Sequence, residues 1–195
     1  MHKTPQRSLI SIQSFSGIDD EQFKLLLNSF KCRKNSQVEE FLKKDAQKYE
    51  KSNISRTFLL FDDKNGLFST NNMLKLLGYF TVALKILEIP EDITKSQKRK
   101  ICGFKFSEMD KIPTYLIGQL GKNDVFASEI NGKELLFWAE SIIKIAYNYV
   151  AGRVILLECE DNNKLVNFYE ENGYVRLPKS ENDPSELLQL VKKIQ

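Results

Sequence analysis

The sequence predicts an α/β protein: an α+β arrangement in which a mixed sheet carries helices on both faces. Three observations carry the prediction. Short β-rich runs recur at 56–61, 76–86, 114–120, 154–157 and 174–177, helical periodicity fills the stretches between them, and no internal repeat is visible. Composition is ordinary, 42% hydrophobic and 28% charged over 195 residues, enough for a core without metal or disulfide. The expected organisation is one domain over 1–178, followed by a linker and appended helix over 179–195.

In chain order, 9–15 alternates weakly as a first strand, and Phe23, Leu26, Leu27 and Phe30 stripe a helix that starts at Asp19 or Asp20. Ser36 reads as the N-cap of a second helix, with Glu39 as its capping-box partner and Val38, Phe41, Leu42, Ala46 and Tyr49 as its apolar stripe. The runs 56–61 and 76–86, separated by Asp62-Asp63-Lys64-Asn65-Gly66, read as antiparallel strands. The polar stretch 88–111 with Lys95, Lys98, Arg99 and Lys100 reads as a solvated loop or short helix. A buried strand follows at 114–120. The longest periodic segment, 132–151, is apolar on several sides and is expected in the centre of the fold. The run 154–157 reads as a strand covered on both faces, Asn162 as the cap of the next helix, and Gly173 as its left-handed terminus. Leu187, Leu188, Leu190 and Val191 suggest a final helix.

Side-chain counts exclude several chemistries. The one histidine, His2, sits at the terminus, so triads and imidazole metal sites lack their central group. Cys32, Cys102 and Cys159 are odd in number and widely spaced, which argues against a disulfide framework or thiolate metal site and fits a reducing cytoplasm. No stretch has the roughly 18 apolar residues of a bilayer span, so no signal peptide, membrane helix or membrane partner is expected. A formal charge of +3 is modest for a dedicated nucleic-acid domain and leaves RNA or DNA open as a substrate.

The segment Asn162-Asn163-Lys164-Leu165-Val166-Asn167-Phe168-Tyr169-Glu170-Glu171-Asn172-Gly173-Tyr174 resembles the closing motif of the GNAT acetyltransferase superfamily. Phe30-Lys31-Cys32 with Asn35, Val38, Phe41 and Leu42, then Ser55-Arg56-Thr57 and Gly78-Tyr79-Phe80-Thr81, resemble the toxin-type branch that acetylates aminoacyl-tRNA. The landmarks run from about Phe30 to Leu177. The resemblance implies a strand at 114–120 splayed from 154–157, with acetyl-CoA as co-substrate in the V and no metal. It implies a primary amine acceptor, an aminoacyl-tRNA being the first specific choice, an antitoxin partner, and a homodimer.

Within that frame Ile117, Gly118, Gln119 and Leu120 would hold the pantetheine arm and offer backbone donors to the acetyl carbonyl. Lys122, Ser128, Asn131, Gly132 and Lys133, at the loop and helix start, would take the pyrophosphate. Tyr169 stands at the general-acid position; its alternative is packing beside Leu165. Asn162 either touches CoA or only caps its helix. Glu129, Asp124 or a water chain would serve as base. Cys159 reads as a core residue, and Arg33, Lys34 and the lysines near 95–100 either steer RNA or are merely solvated.

The loop departs from the family pattern. Ala127-Ser128-Glu129-Ile130-Asn131-Gly132 puts Ser128 and Ile130 where glycines let a phosphate approach the backbone, and adds the charge of Glu129. The alternative function is therefore a catalytically impaired GNAT-like module that binds CoA, a peptide, RNA or a protein partner.

Overall fold

A computed structural model describes residues 6–15, 20–63, 74–90, 93–102, 109–179 and 186–194. His2, the turn at 64–66 and Ser185 lie outside the described residues. The strands are β1 (Arg7–Ser11), β2 (Arg56–Asp62), β3 (Leu76–Glu88), β4 (Lys111–Lys122), β5 (Val154–Cys159), β6 (Val175–Arg176) and β7 (Leu188–Lys193). They form one mixed sheet in the order β1-β2-β3-β4-β5-β7-β6. The chain divides into two compact units, Met1–Val82 with Gln119–Ala139, and Ala83–Gly118 with Glu140–Gln195.

In the first unit β1 pairs antiparallel with β2 through Leu9↔Leu60, and β2 with β3 through Leu59↔Tyr79, as the sequence runs predict for the second pair. Helix α1 (Asp20–Asn28) is followed by α2 (Ser36–Glu40), a π-helical turn Phe41–Asp45 and α3 (Ala46–Lys51). The cap of α2 is Asn35, one residue before the expected Ser36: its extended backbone lets Oδ1 accept the Val38 N–H at 3.2 Å. Glu39 does not close a capping box; it accepts the Cys32 N–H at 2.8 Å. Lys43 and that amide pull the Glu39 carboxyl down to about 2.

The core of this unit gathers Phe23, Leu27 and Phe30 with Leu42, Phe61 and Tyr79, each large side chain contributing about 1.5–3 kcal/mol on burial. Tyr79 places its ring edge on Phe30 at 5.1 Å and donates its hydroxyl to the Val38 carbonyl at 2.5 Å. Next to it the backbones crowd. A Cβ on Gly78 would lie 2.8 Å from the Gly121 carbonyl oxygen, and one on Gly121 would lie 2.5 Å from Val38 Cγ1. The glycine of the Gly-Tyr-aromatic run is thus a packing requirement where β3 meets β4.

In the second unit the later part of β3, the start of β4, and β5, β7 and β6 carry α4 (Lys95–Cys102), the later part of α5 (Gly132–Val150) and α6 (Asn163–Glu171). Its core joins Leu87, Ile112, Val154, Leu156, Leu177 and Val191. The basic stretch contains the short α4, and Lys98 pairs with Asp110 at 3.0 Å.

Two expectations are corrected here. Residues 188–193 are not an appended helix but the strand β7, bonded to β5 over six residue pairs from Val154↔Lys193 to Cys159↔Leu188. Leu188, Leu190 and Val191 are all buried, and a short run buried on both faces has no period that separates strand from helix; the open edge of β5 decides it. Helix α5 is not enclosed. Leu135, Ala139 and Ile143 line a covered edge at four-residue spacing, whereas Phe137, Ile145 and Tyr149 are 62%, 55% and 86% exposed.

Gly78→Ala should destabilise the protein by about 1–3 kcal/mol, because the added methyl meets main chain that cannot rotate away. Urea unfolding monitored by far-UV circular dichroism gives the difference in midpoint.

Candidate functional site

The strand pair at which the resemblance places the cofactor lies at Tyr115↔Ile155, Leu116↔Leu156 and Ile117↔Leu157, where β4 and β5 run parallel. Pairing stops there, although β4 continues through Gly118 and β5 through Glu158 to Cys159. β5 itself stays straight-laced to β7 along its full length. Ile117 is buried in the last paired position, Gly118 is exposed, and Leu120 is half-buried. In the other unit the Gln119 N–H is taken by the Thr81 hydroxyl at 2.8 Å, a side chain substituting for a strand partner.

Helix α6 begins at Asn162, whose Oδ1 accepts the Lys164 and Leu165 N–H groups at 3.0 and 3.4 Å. Seven residues on, Tyr169 is 8% exposed, its ring edge against Phe168 at 5.1 Å and Tyr174 at 5.8 Å. Its hydroxyl has no hydrogen-bond partner among the described residues. Burial pushes this phenol well above its ordinary range, and the neighbouring Cys159 acts in the same direction. Tyr169 is therefore a firmly protonated donor. Burial likewise pushes the Cys159 thiol up to about 11, so it is neutral and unreactive, as a core residue should be. Tyr174 donates to Glu140 Oε1 at 3.0 Å, and Lys192 Nζ lies 2.8 Å from both Glu140 oxygens and over the Tyr174 ring.

The loop after β4, in the first unit, is closed by its own bonds. Lys122 Nζ donates to the Ile130 carbonyl at 3.2 Å. Asn131 caps α5 by accepting the Glu134 N–H at 2.8 Å. Glu129 pairs with Lys75 at 3.2 Å, and Asp124 accepts the Arg33 N–H at 2.7 Å, so neither carboxylate considered as a base is idle. Ser128, Asn131 and Lys133 are exposed, and Gly132 opens α5.

Sequence reasoning missed the residues that hold this loop. Arg7 bonds Asp62 at 3.0 Å, Glu134 at 2.8 Å and the Glu129 carbonyl at 2.5 Å, with both the Arg7 and Asp62 side chains 6% exposed. Asn123, fully buried, accepts the Lys31 and Val125 N–H groups and donates to the Leu76 carbonyl at 2.8 Å. An Asn directly after β4 was the available signal; Arg7, in a strand that also carries Ser8 and Ser11, looks solvated until its partners are known.

The strand order, the parallel β4–β5 pair that parts after three residues, and a helix after each of those strands define the GNAT fold. Among solved structures the chain is similar to a tyrosine-to-phenylalanine mutant of KacT, at 21% identity over 94% of each chain with a TM-score of 0.67. It is also similar to AtaT complexed with acetyl-methionyl-tRNAfMet, at 20% identity over 94% of each chain and a TM-score of 0.67. A mutant AtaT toxin bound to acetyl-CoA and the C-terminus of the antitoxin AtaR is 17% identical over 96% of this chain and 92% of that one, with a TM-score of 0.64. No family model and no curated protein matches the chain. Identities of this size establish the fold.

Asn162→Ala should lose about 1 kcal/mol of stability, and Asn162→Asp, which still caps, should recover most of it. Thermal unfolding of the three proteins checks this; an alanine variant as stable as the parent would leave Asn162 to ligand contact.

Proposed function

We propose that the protein is an acyl-CoA-dependent N-acetyltransferase that moves acetyl from acetyl-CoA to a primary amine, the α-amine of an aminoacyl-tRNA being the acceptor. The observation that carries the reading is the end of β4–β5 pairing at Ile117↔Leu157, within the unit that also holds the largely buried Tyr169, whose hydroxyl has no hydrogen-bond partner among the described residues. The fold likeness to AtaT structures containing acetyl-CoA, an antitoxin segment and an acetylated aminoacyl-tRNA supports the co-substrate, an antitoxin partner and the acceptor class. A homodimer remains part of the proposal on the resemblance alone.

Acetyl-CoA supplies an acetyl group activated as a thioester. The residues present fit its reacting end: the main chain of Gly118, beyond the last pair with β5, for the carbonyl oxygen, and the Tyr169 hydroxyl for the departing sulfur. An ordinary phenol near 10 is a weaker acid than a thiol near 8.5, so complete transfer costs about 2 kcal/mol. Burial of Tyr169 raises that cost. Tyr169 therefore acts mainly by a hydrogen bond that strengthens as charge gathers on sulfur. The same bookkeeping bears on the acceptor. With Asp124 and Glu129 both engaged, an amine with a usable neutral fraction unaided is favoured: an α-amine near pKa 8 is about a tenth neutral at pH 7, whereas a lysine amine near 10.4 is under about a thousandth neutral.

A second reading has its own observation: in the loop proposed for the pyrophosphate, Lys122, Asn131 and Glu129 are already engaged, with the Ile130 carbonyl, the Glu134 N–H and Lys75 in turn. On that reading the protein is a GNAT-like binding module without turnover.

A thermal melt and a turnover assay together separate the two. Acetyl-CoA at 100 times its dissociation constant should stabilise the fold by about 2.7 kcal/mol and raise Tm by a few degrees; no shift would remove the acyltransferase reading. Tyr169→Phe should lower kcat roughly hundredfold or more, measured as CoA thiol release with an aminoacyl acceptor, while leaving KM for acetyl-CoA within about threefold. Its Tm should match the parent, because the lost hydroxyl has no hydrogen-bond partner among the described residues.

A further inference from the structure

Glu158 is the first residue of β5 beyond the last position paired with β4. Its two carboxylate oxygens lie 2.7 and 2.6 Å from Lys85 Nζ, and Lys85 belongs to β3, on the far side of β4 in the sheet. The bridge therefore spans two strand spacings, about 9–10 Å. A third donor holds the carboxylate: Gln189, the register partner of Glu158 on β7, gives its Nε2–H to Oε1 at 2.9 Å. The Lys85 main chain is also tied down, its carbonyl accepting the hydroxyl of Thr114, a 1% exposed residue of β4, at 2.8 Å.

We infer that Lys85 and Glu158 form a clasp that holds β3 to β5 across β4 where β4 and β5 part, and so sets the room available to the pantetheine arm. This rests on the acyltransferase reading above. Where a ladder ends inside a sheet, nothing in the backbone limits how far the two strands separate, and a ligand must then supply the order itself. A bridge on one face removes that freedom beforehand. An isolated exposed ion pair contributes little, but this one contacts both oxygens of a carboxylate whose side chain is 18% exposed and which a neutral amide also orients. The two are positioning residues: neither takes part in acetyl transfer, and their effect reaches the reaction through strand spacing.

The test uses the full chain with three variants. Glu158→Gln removes the charge and keeps the shape, Lys85→Met keeps the stem and removes the ammonium, and Lys85→Glu/Glu158→Lys restores the pair reversed. Each single variant should raise KM and Kd for acetyl-CoA about tenfold, the loss of roughly 1.4 kcal/mol, with kcat altered less than about twofold. Amide hydrogen exchange should quicken at 116–118 and 157–159, and the reversed pair should return both readouts to within about threefold of the parent. Single variants that bind and exchange like the parent overturn the clasp, as does a reversed pair no better than the singles. A parent chain that binds no acetyl-CoA overturns the acyltransferase reading and the positioning role together, which sets that failure apart from failure of the clasp alone.

Discussion

The constraint on which the rest of the structure depends is the unequal treatment of β5. On one side it is bonded to β7 over six residue pairs; on the other it meets β4 over three and then loses it. A strand in the middle of a sheet that gives up half a ladder forfeits several hydrogen bonds, each worth about 0.5–1.5 kcal/mol net. Such a loss persists only when the strand is held from elsewhere. β7 is that support, so the segment 188–193 steadies the proposed site although it lies far from it in sequence. Without β7, β5 would keep three backbone pairs with β4 beside the core packing of Val154 and Leu156.

The same logic runs through the first unit. Gly78 and Gly121 bring the backbones of β3 and β4 close, with Val38, Phe30 and Tyr79 filling the space where side chains would have been. Tyr79 ties this packing to the second helix through the Val38 carbonyl, and buried Asn123 ties the end of β4 to the segment at Lys31. Arg7 then secures the loop and the first turn of α5 through Glu129 and Glu134. A loop anchored by buried polar groups keeps one conformation, because leaving any of those groups unpaired costs more than the bond itself is worth.

Much of this was legible in the sequence, and what was missed shares a cause. The β2–β3 pair, the Asn162 cap, the left-handed Gly173 with φ 86° and the long α5 all announce themselves within a few residues of chain. Local signals suffice where local physics decides. The strand at 188–193 did not announce itself, since Leu187, Leu188, Leu190 and Val191 suit a helix as well, and only the open edge of a strand thirty residues earlier selects the extended form. Arg7 and the Lys85–Glu158 pair were equally silent, because a charge in a strand looks solvated until its partner from another element is known. The exposed Phe137, Ile145 and Tyr149 show the converse: apolar residues on several sides of a helix do not by themselves enclose it.

The substituted loop, which in sequence looks like damage to a phosphate site, is less prohibitive in structure. Its closing bonds are of the kind a phosphate can replace. Lys122 gives an ammonium proton to a neutral carbonyl, a bond charge-assisted on the donor side alone, and exchanging that carbonyl for a phosphate oxygen places charge on both partners. Asn131 occupies the Glu134 N–H at the start of α5, and capping alone does not consume the other first-turn donors. Glu129 opposes an anion, but its charge is met by Lys75 at 3.2 Å, so the repulsion a ligand feels is that of a pair rather than of a bare carboxylate. Loss of the glycines restricts how near a phosphate can come to the main chain and leaves the side-chain donors in place. On the acyltransferase proposal, selectivity then falls to the reacting end, where the width of the β4–β5 opening and the Tyr169 hydroxyl belong to the second unit alone.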